Sequence, residues 1–173
     1  MRTLFYVVQV ILLIHEMEEW NIDDFHQSAY ASQSVTETRL GVWLWLLFLS
    51  LFGFVWTIFA CALPGIRLKT IVFMLLVDFT LLNGIQHVSL SIQTRRYNPG
   101  FIFGGIIGLL GDTLVLWRVI ADGILPAWLV AVLVAPILPP LLESYAANSK
   151  SRLPRSITVL LRFAIFLEHK MTV

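Results

Sequence analysis

His15, Glu16, Glu18 and Glu19 fall within five consecutive positions of the run VILLIHEMEEW, directly after an apolar stretch from Leu4 to Ile14. An imidazole and carboxylates gathered this way can ligate a divalent metal, pass protons or pair with one another. On a helix each residue turns about 100°, so Glu18 and Glu19 fall within about 60° either side of His15. Glu16 lies about 100° off that stripe and faces a second partner or the rim. A second polar stripe occurs in NGIQH, where Asn83 and His87 stand one turn apart and Gln86 adjoins them. Imidazole plus carboxylate from one helix and imidazole plus amide from another form a plausible ligand set for zinc, iron or manganese. The expected metal ligands are therefore His15, Glu18, Glu19 and His87, with Asn83 and Gln86 lining the site and Glu16 and Glu18 as candidate acid–base groups. HEMEE also satisfies H-E-x-x-E, a relative of the zincin pattern, in which His15 and Glu19 would bind the metal and Glu16 serve as base.

The elements that must carry these groups are membrane helices. Of 173 residues, 58% are hydrophobic and the mean hydropathy is +0.81, well above the roughly 45–50% apolar share of soluble domains. A soluble fold of this length could not hide so much apolar surface, so lipid is the expected solvent. A net charge of +1 and the absence of a basic patch interleaved with aromatics give no footprint for nucleic acid. The single cysteine, Cys61, rules out a disulfide framework or a cysteine-rich metal site. No nucleophile triad, phosphate-cradling loop or dinucleotide fingerprint is present.

An all-α polytopic bundle is expected, one domain over 1–173 with about five crossings at 3–22, 42–63, 71–92, 101–121 and 124–142. The first is read as a retained helix. Although Ala29-Tyr30-Ala31 resembles a cleavage triplet, a long polar stretch separates it from the apolar run. Arg96-Tyr97-Asn98-Pro99-Gly100 reads as a tight turn between the third and fourth crossings. Residues 154–170 read as an amphipathic helix lying on the inner leaflet. Lys and Arg are denser in the 21–41 loop, the 93–100 turn and the tail, which favours the N-terminus outside, the C-terminus inside and the cell membrane as location. Lys150, Arg152 and Arg155 read as an anchor for anionic lipid.

Length argues that the first polar stripe lies inside the bilayer. Leu4 to Ile14 reaches only about 16 Å, half of a ~30 Å hydrocarbon core, so a crossing helix must continue through the acids to about Ile22. Each ionised residue at depth costs about 2.5–3.5 kcal/mol, tolerable only when paired, protonated or bound to a cation. The competing reading ends the helix at Ile14 and leaves the charges among headgroups, with Trp20 as anchor. Counted from helix starts near Thr3 and Thr70, His15 and Glu19 lie about 18 and 24 Å in, and Asn83 and His87 about 20 and 26 Å, so the stripes match in depth. Asp78 lies opposite His87 and level with Asp112, which suggests a protonated pair or capture by a serine or backbone group. Gly104, Gly105, Gly108 and Gly111 read as a small-residue packing face.

His15-Glu16-Met17-Glu18-Glu19 matches the His-x-x-Glu-Glu signature, and with NGIQHV and RYNPG the chain resembles the HXXEE-domain family of multi-spanning membrane proteins. The resemblance runs from the first helix through the fourth. It implies the multi-span architecture and singles out His15, Glu18, Glu19, Asn83, His87, Tyr97, Pro99 and Gly100, but supplies no reaction. Where a Pro-containing turn is expected after the signature, this chain has the polar loop NIDDFHQSAYASQS. Three functions compete. A metal-dependent membrane hydrolase or oxidase would act on a lipid or other amphipathic small molecule. A transporter would use the same groups as a proton or cation relay. A structural or ligand-binding membrane protein would merely pair them. The oligomeric state is open.

Overall fold

The computed structural model describes residues 1–29, 38–148 and 154–172, and every element among them is helical. They are α1 (Arg2–Glu18), α2 (Ile22–Ala29), α3 (Arg39–Ala62), α4 (Ile66–Thr94), α5 (Phe101–Ala121), α6 (Ala127–Val134), α7 (Leu138–Asn148) and α8 (Arg155–Thr172). Residues Phe101–Gly108 of α5 are wound as a π-helix, and a 3₁₀ turn, Ala135–Ile137, joins α6 to α7.

Local chemistry explains most of the boundaries. Thr38 caps α3, its Oγ1 accepting from Gly41 N at 3.1 Å. Pro64 and Gly65, the latter at φ 69°, separate α3 from α4. Lys69 Nζ donates to the Cys61 carbonyl in the last turn of α3, where a cation complements the helix dipole. Pro136 would break an α-helix at its position and is absorbed by the 3₁₀ turn.

Four helices among the described residues are long and apolar enough to cross a membrane: Arg39–Ala62, Ile66–Thr94, Phe101–Ala121 and Ala127–Ala147. Their outward faces carry large apolar side chains, including Leu51, Val55, Leu110 and Leu142, while the buried core is built from Phe5, Val8, Leu12, Phe73, Val77 and Val115. Such an outside suits hydrocarbon, not water. Phe5 of α1 stacks on Phe73 of α4 with ring centroids 3.9 Å apart. Where α4 meets α5 the backbones approach so closely that a Cβ at Gly84 would stand 2.6 Å from the Gly104 carbonyl oxygen.

Two expectations are corrected here. The first helix stops at Glu18 and does not run on to Ile22; Glu19 closes it, its N–H bonded to the His15 carbonyl. Its 17 residues extend about 25 Å, less than a full hydrocarbon core. The segment after the signature is no loop over 22–29 but the short helix α2, with Asp23 and Asp24 favourably placed in its first turn and Ile22, Phe25 and His26 buried. The tail helix forms as α8 and lays Phe163 against Trp45 and Phe48 of α3, at centroid distances of 5.9 and 5.4 Å. Lys150 and Arg152 lie outside the described residues.

Candidate functional site

The last turn of α1 and the final third of α4 meet the turn at 95–100 and the π-wound start of α5. Glu19 is the hub. Its Oε1 lies 2.6 Å from His87 Nε2 and 3.3 Å from His15 Nε2, and all three side chains are buried. The imidazoles stand edge to face at 4.9 Å. One ligand atom from each of His15, Glu19 and His87 lies within 4.8 Å of the others. Two amides hold the rings from behind and beside: Asn83 Nδ2 is 2.7 Å from His15 Nε2, and Asn98 Nδ2 is 2.9 Å from His87 Nδ1.

Glycine makes room for this packing. Gly100 adopts φ 90°, and a Cβ there would stand 2.5 Å from His87 Cε1, 2.6 Å from His15 Cε1 and 2.7 Å from Glu19 Oε1. A Cβ at Gly104 would stand 2.5 Å from both Cε1 and Nδ1 of His15. The site therefore exists only because two side chains are missing from the facing turn. The π-winding contributes too: the Gly100 carbonyl accepts from Gly104 N at 2.9 Å and Gly105 N at 3.0 Å, widening the turn that faces the histidines.

Of the expected residues, the structure brings His15, Glu19, Asn83 and His87 together. Glu18, read as a ligand and as an acid–base group, is committed elsewhere. Its Oε1 accepts from Ile102 N at 3.0 Å and its Oε2 from Phe103 N at 2.7 Å, capping α5, and the Tyr97 hydroxyl donates to it as well. A carboxylate at a helix N-terminus satisfies amides that have no partner within the helix. Tyr97 is accordingly part of that cap, and burial together with the Glu18 charge pushes its phenol up to about 12. Gln86 is half-buried with Nε2 unpartnered and does not join the three. Glu16 is buried with neither carboxylate oxygen hydrogen-bonded, in electrostatic reach of Glu19.

Three residues were missed. Asn98, 1% exposed, was passed over between Tyr97 and Pro99 in the turn; a buried amide in a Pro-Gly turn is the only signal it offers. His26 on α2 is buried within electrostatic reach of Glu19, and the reading of a polar loop concealed it. Thr80 Oγ1 donates to Asp112 Oδ1 at 2.9 Å; that acid is captured by a threonine on α4 and not by the serine or backbone group expected.

No curated protein and no solved structure matches the chain. The family model for proteins of unknown function with an HXXEE motif matches residues 6–115, a stretch that contains every residue of the cluster just described. The chain belongs to the HXXEE family.

Proposed function

We propose that this membrane protein binds a divalent metal at His15, Glu19 and His87 and uses it on a lipid or other amphipathic small molecule, as a hydrolase or oxidase. The observation that carries the reading is the convergence of two imidazoles and one carboxylate on a single buried point. Two His and one carboxylate with an open position is the donor set of catalytic zinc and non-haem iron sites. Two of the donor spacings bear on the fit. A tetrahedral ion with bonds of about 2.0–2.1 Å holds neighbouring ligand atoms roughly 3.3 Å apart. His15 and Glu19 already have that spacing, at 3.3 Å, whereas His87 and Glu19, at 2.6 Å, must part slightly. With its amide turned so that Oδ1 accepts from Nδ1–H, Asn98 beside His87 would orient that ring to ligate through Nε2.

A bound divalent ion would supply Lewis acidity and bring the pKa of water toward about 7. The chain's own groups would do the rest. Glu16, buried and without a hydrogen-bond partner, is placed to hold and pass a proton beside Glu19. An apolar cavity of about 320 Å³ between α3 and α4, bounded by Leu12, Phe48, Phe52, Trp56 and Phe79, would receive the hydrocarbon part of the substrate. Leu12 lies one turn before His15 and Glu16, so that cavity adjoins the polar end of α1.

In the same reading α1 is a fifth crossing, completed by the turn after it and by the site's internal pairing. The N-terminus is outside, the C-terminus inside, and the cell membrane is the location. α8 lies at the inner interface, with Arg155, Arg162 and Lys170 exposed toward anionic lipid.

The 2.6 Å contact between His87 and Glu19 also supports a second reading, in which His–Glu–His is a proton relay in a transporter. Elemental mass spectrometry on the detergent-purified protein separates the two, beside His15→Ala, His87→Ala and Glu19→Gln variants. One equivalent of zinc, iron or manganese in the wild type, lost in all three variants, is expected. A metal-free wild type that supports proton-coupled uptake in liposomes would establish the relay instead.

A further inference from the structure

Two buried polar atoms are left over by the site as described. Asp112 of α5 is completely buried, and while its Oδ1 accepts from Thr80, its Oδ2 has no partner. His15 Nδ1 likewise has no partner in good hydrogen-bond geometry, the Gly100 backbone being the other group in reach of the ring. Between them lies a cavity of about 10 Å³ lined by His15, Asn83, Thr80 and Asp112, with Gly104 and Gly108 leaving the space open. A single water needs about 10–15 Å³ of such space and two to four polar partners. This void has the polar partners and room for one molecule. α1 closes it with Val8, Ile11 and Leu12, so the other charged group near Asp112 is Asp78 on α4, in electrostatic reach.

We infer that one water occupies this cavity and joins His15 Nδ1 to Asp112 Oδ2, making Asp112 a positioning residue for His15. The Nδ1–H donates to the water and the water donates to Asp112, whose second oxygen is held by Thr80. With its proton fixed at Nδ1, the ring turns an unprotonated Nε2 toward Glu19 and His87. Each imidazole then has its remote nitrogen held by a different device: His87 by Asn98 directly, His15 by the water. The consequence for metal binding rests on the reading proposed above; the water link does not.

The test uses the full chain in detergent micelles with ¹⁵N-labelled histidine, both metal-free and titrated with zinc. The His15 ring signals are assigned by their loss in His15→Ala. In the wild type the proton on His15 should reside at Nδ1 and show a cross-peak to water. Asp112→Leu should abolish that cross-peak, move the His15 nitrogens and leave those of His87 in place, while weakening zinc binding about 10–100-fold. Asp112→Asn keeps an oxygen for the water and should restore both signals. Val8→Ile, which adds a methylene to the cavity wall, should displace the water without touching any polar group. A merely structural role for Asp112 would lower stability in the leucine variant and shift both rings alike, and that result would overturn the inference. So would a His15 Nδ1 signal indifferent to Asp112→Leu, or one without water contact in the wild type. If zinc fails to bind the wild type while the water contact is present, the metal reading falls and the water link stands.

Discussion

Gly100→Ala is the sharpest test of how the site is built, because the same substitution can be made elsewhere with one of its two costs removed. At Gly100 the added methyl meets a backbone at φ 90° and three side-chain atoms at 2.5–2.7 Å. A non-glycine residue in left-handed backbone costs about 1–2 kcal/mol. Forcing a methyl into a packed interior adds about 1–3 kcal/mol. At Gly123 the backbone is also left-handed, φ 66°, but a Cβ there meets nothing within 4 Å. Gly123→Ala should therefore cost about 1–2 kcal/mol and Gly100→Ala about 2–5 kcal/mol. Denaturant unfolding of the two variants in detergent, followed by tryptophan fluorescence, measures the difference. The methyl at position 100 must also push the two imidazoles and Glu19 apart, so its zinc affinity should drop at least tenfold while that of Gly123→Ala stays at the wild-type value. Equal destabilisation of the two variants, with zinc binding intact in both, would mean that position 100 does not face a filled pocket and that the cluster is not assembled as described.

The remaining expectations concern the groups around the cluster. Asn98→Leu removes the partner of His87 Nδ1 in a buried place, and should cost about 1–3 kcal/mol; unfolding free energy equal to that of the wild type would refute the contact. Glu18→Ala deletes the acceptor for the Ile102 and Phe103 amides and should cost about 2 kcal/mol, with amide exchange accelerated at the start of α5 and not in α3. Tyr97 should ionise near 12 in the folded protein against an ordinary 10. Its contribution to stability is therefore complete below pH 10 and is lost as the pH climbs from there toward 12. Phenolate absorbance during an alkaline titration reads this directly, and in Glu18→Ala the value should fall part of the way back, since burial still raises it.

Membrane character was legible from composition and run length because lipid imposes one requirement, apolar side chains along a whole helix, that no local interaction overrides. The ends at Thr38, Pro64-Gly65 and Pro136 were marked by residues whose backbone chemistry acts locally. The end of α1 was not. Glu19, Trp20 and Asn21 include neither glycine nor proline, and the helix stops where its side chains engage other segments. The choice between Glu18 and Glu19 was equally hidden, since both flank His15 on one stripe. It is decided by two amides some eighty residues away. Asn98 finds its histidine 11 residues back along the chain, through a turn whose shape no spacing rule yields. The pairing of the His15 stripe with the Asn83–His87 stripe, by contrast, was foreshadowed by their matching depth. The glycines of α5 read correctly as a close-packing face, but what packs there is an imidazole as well as a helix.

The opening of α5 carries an implication for how the chain tolerates change in length. Its π-winding accommodates one residue more than an α-helical path would need, and the surplus is what aims Gly104 at His15 and Phe103 N at Glu18. Dropping a single residue between 101 and 108 would let ordinary winding resume with all its hydrogen bonds and keep the flanking segments nearly in line, yet re-aim the residues within the stretch. The helix would survive such a deletion; the aim of Gly104 at His15 and of the Phe103 amide at Glu18 would not. Spacing in this stretch is thus a stricter requirement than the identity of most of its residues.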